Sequence, residues 1–353
     1  MFCLTKQSGV IGQLHNRLVE SLRLRVLQVP VPPGATTTDA RVAVLFSGGL
    51  DCTVLARLAS DLLPEDQPID LLNVAFENPR IATQHKGLSQ QELYELCPDR
   101  ITARKSFVEL VQMCPRRQFR LVTVRFRYLV FCLDLLTDLQ VNVPFTLTCD
   151  HRSEVIELIY PHQTEMDLSI ASALYFAARG DGLCQTSIDS CQAQPYKTTA
   201  RVLLSGLGAD ELFGGYTRHA TSYGRRGYEG LIDELKLDMS RLGKRNLGRD
   251  DRVMAHWEKE VRFPYLDEDF VRWAMGLPVW EKCDFANPEV DGAGGSAGEG
   301  VPEPGKRILR LLAEELGMSE VAREKKRAIQ FGARTAKMES GKVKGTTLIS
   351  PSA

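Results

Sequence analysis

Stretches dominated by apolar residues, at 42–45, 69–76, 119–124 and 201–205, punctuate the chain and are short enough to be buried strands rather than helices. Between them apolar residues return at helical spacing. Leu14, Leu18, Leu22 and Val26 recur every fourth position, which predicts an amphipathic helix on one face of a sheet, ended by Pro30, Pro32, Pro33 and Gly34. Val54, Leu55, Leu58 and Ala59 predict a second helix directly after the first strand, and the strand at 69–76 follows. Strand, helix, strand in that order implies parallel neighbours and an α/β fold, a parallel sheet flanked by helices. Further helices are expected at 88–96, 152–160 and 167–178, with turns at 99–102 and 161–164. Beyond Tyr228 the pattern is helical almost throughout, a C-terminal helical layer.

Two stretches break this rhythm. Residues 125–150 fit no expected element and read as an insertion, while 286–304 form a Gly/Pro/Ala loop too polar to pack. The expected organisation is an N-terminal helix and linker over 1–40, one domain over 41–340 and a disordered tail over 341–353.

The chemistry begins at the first strand-to-helix junction, Ser47-Gly48-Gly49. Backbone N–H groups left free at the turn and in the first helical turn converge on one point and favour an anion there. Glycine lets a phosphate approach the main chain closely, and Ser47 adds a hydroxyl donor. Asp51 would repel a bare phosphate; it makes sense if Mg²⁺ lies between the carboxylate and the phosphates. Ser205-Gly206-Leu207-Gly208-Ala209-Asp210-Glu211 repeats the logic of buried strand, glycine turn and carboxylates. A helix N-terminus enriched in acids is the plainer reading of that second block. The Gly214-Gly215 pair and the strand-end placement argue instead for a paired site, since ligands of such sheets sit beyond the carboxyl ends of the strands.

Composition narrows the partners. Over 353 residues, 44 Lys+Arg balance 45 Asp+Glu, so no global field recruits nucleic acid or an anionic membrane. The longest apolar patch, at 128–136, is too short to span a bilayer. The nine cysteines contain no CxxC pair, which argues against a zinc ribbon, and their scatter among apolar segments suits reduced thiols in the cytoplasm. The six histidines show no metal-ligand spacing, and His219 reads as a capping or surface residue.

SGGLD at 47–51 resembles the PP-loop of the ATP pyrophosphatases, and its pairing with SGLGADELFGGY at 205–216 resembles the C-terminal synthetase domain of the asparagine synthetases. The resemblance runs over about 18–337 apart from 125–150, and KRNLGRDDRV, EVRFPYLDE and KKRAIQFGARTAKME place the chain near a divergent eukaryotic branch of that family. It implies an adenine nucleotide alpha hydrolase-like fold. It also implies an ATP-dependent ligase that adenylates the β-carboxylate of aspartate, releases pyrophosphate and transfers ammonia to give asparagine. By the same resemblance Ser47, Gly48, Gly49, Leu50, Asp51 and Cys52 hold pyrophosphate, Leu45 and Val74 to Phe76 border the adenosine, and Ser205 and Gly206 lie near AMP. Asp51 and Asp210, with Glu211 nearby, would hold Mg²⁺, and Lys306 and Lys326 would contact phosphates and the developing charge. The plainer reading of Lys326 is a solvated basic run with Arg323, Lys325 and Arg327.

The chain also departs from the family pattern. Cys52, whose thiol is a poorer donor, stands where the motif has serine. Leu207 stands where the family has a glutamate thought to assist proton transfer, and a lost general base typically costs ~10²–10⁴-fold in rate. About forty residues precede the glycine turn, and Cys3 is one place late for the family's glutaminase nucleophile. The expectation is therefore either a truncated gene product or the use of free ammonia, or of glutamine-derived ammonia from a separate glutaminase, with a homodimer as the alternative partner. A nucleotide-binding scaffold or regulator with impaired catalysis is the competing function.

Overall fold

A computed structural model of the chain describes residues 4–85, 87–124, 126–132, 135–187, 194–287, 303–338 and 344–349. Among these the strands are, in chain order, β1 (Val42–Leu45), β2 (Ile69–Asn73), β3 (Phe119–Val124), β4 (Phe126–Cys132), β5 (Leu135–Val141), β6 (Asp181–Gln185), β7 (Gln194–Lys197), β8 (Val202–Leu204) and β9 (Glu260–Arg262). Period-two alternation sends successive side chains into two cores. Val42, Val44, Leu71, Leu121 and Leu204 enter one; Ala43, Leu72, Val122 and Leu203 enter the other.

The main sheet has the order β7-β6-β3-β2-β1-β8-β9. Its central and β9-side strands are parallel as expected, with Val44 opposite Leu71 on one side and Leu204 on the other. β6 and β7 add an antiparallel edge, so the sheet is mixed. From β1 the chain winds out through β2 to β3, then returns to lay β8 on the other flank of β1. The order therefore reverses between β1 and β8, where a crevice opens at the carboxyl ends of the strands.

Helices cover both faces. Leu14, Leu18 and Leu22 of the helix Gly9–Val26 enter the first core with the helices Leu50–Leu62, Pro98–Met113 and Arg307–Glu315. The helix Glu165–Arg179, capped by Thr164 and rich in small residues, covers the second. Among the described residues no helix is long and apolar enough to cross a membrane.

Three local expectations need correction. Residues 99–102 are helical: Pro98 sits in the first turn of the helix Pro98–Met113, where its missing N–H costs nothing, so it starts the helix rather than breaking the chain. Within 125–150, β4 and β5 pair as a separate two-stranded sheet, but from Asn142 the chain rejoins the body, with Val143 bridging Phe76 and the helix Phe145–Asp150 following. Part of the expected tail is ordered too, because Thr347 and Gly345 carbonyls accept the Glu165 and Met166 N–H groups. Most of 286–304 lies outside the described residues, as does Cys3.

The Gly9–Val26 helix is thus part of the first core. Leu18→Ala, at a fully buried position, is expected to lower stability by about 2–5 kcal/mol in urea unfolding of the full chain.

Candidate active site

The Ser47-Gly48-Gly49 turn is shaped by the helix behind it. Gly48 has φ of 79°, and a Cβ there would lie 2.4 Å from the Ala103 nitrogen of the Pro98–Met113 helix. Ser106 Oγ donates to the Gly48 carbonyl at 2.6 Å. Gly48 is therefore required by this close approach and by its left-handed backbone, a reason additional to room for a phosphate. Gly49 caps the Leu50–Leu62 helix; its carbonyl accepts from Thr53 Oγ1 at 2.8 Å and from Cys52 Sγ at 3.3 Å. Burial raises the Cys52 pKa, so the group stays a neutral thiol turned to the turn's own backbone.

Asp51 opens the helix after β1 and Asp210 the short helix after β8, so neighbouring strand ends bring the two carboxylates together. A Cβ on Gly206 would lie 2.9 Å from that of Asp51, which is why the second turn also needs glycine. Lys306 Nζ donates to both Asp51 oxygens at 2.8 Å and lies 2.8 Å from Asp210 Oδ1. That contact is off the hydrogen-bond direction, leaving Oδ1 buried with no aligned donor. Lys326 Nζ donates to Asp210 Oδ2. Burial by itself would raise the Asp210 pKa, but the two ammoniums outweigh it and hold the carboxyl well below the usual range. Burial likewise disfavours the charged form of Lys326, and Asp210 and Asp51 more than reverse that, raising its pKa. Of the two readings of Lys326, the structure places it inside the site.

Glu211 is turned elsewhere. Its Oε1 accepts from Tyr216 Oη at 2.6 Å and its Oε2 from the Gly208 N–H at 3.2 Å. No cluster of three or more potential metal-ligating side chains occurs among the described residues. Asp51 and Asp210, joined through Lys306, offer two hard oxygen ligands, which suits a small divalent cation arriving with phosphates rather than one caged by protein.

Two pockets share Asp51 and Lys326 in their linings, while Asp210 lines neither. A polar one of about 50 Å³ is lined by Ser47, Gly49, Leu50, Asp51, Lys306 and Lys326 among others. A more apolar slot of about 170 Å³ carries Leu45, Cys52, Val74, Ser205 and Gly206 on its walls, with Ala173 and Leu174 opposite. Phe76 does not line either: it is buried against Phe176, its N–H bonded to the Ala333 carbonyl. His219 is fully buried and bonded to Asp238, so its capping role holds and its surface placement does not.

Sequence reasoning missed the residues that hold the lysines. Arg310, 1 % exposed, donates to the Gly305, Ala322 and Glu324 carbonyls and to Glu303, tying the loops that carry Lys306 and Lys326. Tyr265 Oη donates to the Asp51 carbonyl at 3.1 Å, which gives the RFPYLD block its place behind the site. Asp99 lines both pockets and was read only as part of a turn.

The family model described as asparagine synthase matches residues 190–235 and 226–347. The chain carries an asparagine synthase domain. It is similar to asparagine synthetase domain-containing protein 1 of Bos taurus, at 37% identity over 96% of this chain and 53% of that protein. The Homo sapiens protein of the same name is 36% identical over 94% and 52%. A putative asparagine synthetase [glutamine-hydrolyzing] 1 of Methanocaldococcus jannaschii is 35% identical over 39% of this chain and 28% of its own. The chain spans about half the length of the domain-containing relatives it matches. The SGLGADE block lies within the residues that the family model matches, and the SGGLD block, outside them, faces it across the β1–β8 crevice.

Two outcomes test the geometry. Gly48→Ala should cost on the order of 3 kcal/mol, through backbone strain and overpacking against Ala103, as read by urea unfolding. Asp210→Ala strips the buried Lys306 and the partly exposed Lys326 of a counter-charge and should cost about 3–5 kcal/mol in the same measurement, several times what an exposed ion pair contributes.

Proposed function

We propose that this domain is an ATP-dependent, AMP-forming amide ligase of the asparagine synthase type. In this reading it adenylates the β-carboxylate of aspartate, releases pyrophosphate and passes the acyl group to ammonia, giving asparagine in the cytoplasm. The observation that carries it is the pair Asp51 and Asp210 at adjacent strand ends, sharing Lys306, with Asp51 also lining a largely apolar slot. The slot combines apolar walls such as Leu45, Val74 and Leu174 with polar groups such as Ser47, Asp51 and Lys326, the mixture that a nucleoside with a phosphate tail requires.

The residues divide the work by chemistry. The Ser47 hydroxyl and the N-terminus of the Leu50–Leu62 helix face the phosphates, where fixed N–H dipoles favour negative charge. Leu45 and Val74 exclude water from the base, and Ser205 and Gly206 border the sugar end. Asp51 and Asp210 would hold the Mg²⁺ that accompanies a triphosphate, whose chemistry is neutralising oxygen charge during displacement. The poorly aligned Asp210 Oδ1 fits that demand. Lys306, buried, and Lys326, at the pocket surface, exchange their carboxylate contacts for phosphate oxygens, stabilising charge on the pyrophosphate leaving group. Alignment of the acceptor carboxylate with the α-phosphorus supplies the rest of the acceleration.

The competing scaffold reading rests on Leu207, which brings no ionisable group to the second turn. Pyrophosphate release with aspartate, ammonia and MgATP separates the two. Aspartate-dependent release that Asp51→Ala abolishes is the expected result. Tight ATP binding without aspartate-dependent release would establish the scaffold instead.

A further inference from the structure

We propose that Asp99 is the proton acceptor of the amide-forming step, taking the proton that the attacking amine must lose. This assignment rests on the ligase reading above. Asp99 lies in the first turn of the Pro98–Met113 helix and lines both the polar pocket and the apolar slot, at the junction where an acyl group between phosphate and amine has to sit. It is 6 % exposed, and its carboxylate accepts no hydrogen bond among the described residues.

The other carboxylates at the site are committed. Asp51 is held by Lys306, and Asp210 lies between Lys306 and Lys326. Glu211 accepts from Tyr216 and Gly208. Glu324 accepts from Thr102 Oγ1 at 3.3 Å and lies 3.8 Å from Arg327. Asp99 alone among them has both oxygens unengaged. Room for it is built in: a Cβ on Gly332 would lie 1.9 Å from Asp99 Oδ1 and 2.3 Å from Oδ2, so only glycine tolerates the carboxylate there.

Its surroundings suit proton exchange at neutral pH. Burial pushes the Asp99 pKa up to about 7, against the partial opposition of Arg327 and Lys326 and with a small push from Glu324. Cys97, the preceding helix cap, also faces it and is itself a neutral thiol whose pKa burial raises to about 11. Lys306 and Asp51 face the same polar pocket. In the step itself the amine lone pair forms the C–N bond, the acyl C–O bond to AMP breaks with its electron pair leaving on the phosphate, and the surplus N–H proton passes to Asp99. It then leaves through the pocket mouth to solvent. Leu207 has no group to do this.

The test uses the full chain and Asp99→Asn, which keeps the shape that Gly332 accommodates. Aspartate-dependent exchange of labelled pyrophosphate into ATP reports adenylation, and ammonia-dependent asparagine formation reports the whole cycle. Expected is exchange within about twofold of wild type with amide formation down ~10²–10⁴-fold. Hydroxylamine, whose conjugate acid is far more acidic than ammonium, should restore part of the loss. In the wild type, measured at constant free NH3 so that titration of the amine itself is removed, amide formation should rise with pH through about 7, as Asp99 ionises, while exchange stays flat. That profile decides the matter even if the variant does not fold. Equal loss of exchange and amide formation, a raised KM for aspartate at unchanged kcat, or a flat amide profile overturns the assignment. The second of these would make Asp99 a clamp for the substrate ammonium. Wild-type protein with no aspartate-dependent exchange would overturn the ligase reading and this assignment with it, whereas normal exchange with undisturbed amide formation in the variant removes this assignment alone.

Discussion

A buried carboxylate, Asp210, and a half-buried one, Asp51, stand side by side at adjacent strand ends because ammonium groups stand between them. Asp51 and Asp210 are brought together by the β1–β8 pairing, and each would repel the other's charge in a poorly solvated crevice. Lys306 meets both, and Lys326 adds a second contact to Asp210. At an effective dielectric near 20, opposite unit charges about 4 Å apart attract by about 4 kcal/mol. That exceeds the ~1–3 kcal/mol that a left-handed backbone costs a non-glycine residue. Lys306 has φ of 55°, so the electrostatics of the site outweigh the conformational preference of its own backbone.

Much of the rest can be seen as support for this cluster. The alternation of β1, β2 and β8 into two cores fixes the strand ends, the glycine turns let a helix and a neighbouring strand end approach within contact distance, and Tyr265 anchors the Asp51 carbonyl. The apolar slot beside it follows from the same topology, since β1 and β2 end there and the Glu165–Arg179 helix presents alanine and leucine across the gap.

The strands and both glycine blocks were legible because buried parallel strands are short apolar runs and their turns need small residues. What escaped reading depended on direction rather than identity. Asp210 and Glu211 are neighbours with the same chemistry, and only the helix geometry shows that one turns inward and the other to Tyr216. Val74 and Phe76 look equivalent at period two, yet β2 ends at Asn73 and the backbone beyond it bonds to Ala333 instead. Asp99 in a CPDR context reads as a turn or a helix start, and nothing local reveals that the chain folds it against Gly332, more than two hundred positions away. Lys326 sat in a basic run that charge patterning alone could not divide between solvent and site.

Arg310 carries a consequence for motion. One guanidinium holds the Gly305 carbonyl beside Lys306 and, through Ala322 and Glu324, the segment leading to Lys326. Opening either segment alone would strand part of that buried cation without acceptors, so both are coupled into a single cooperative unit. Loosening that one guanidinium would therefore slacken the hold on both ammoniums at once.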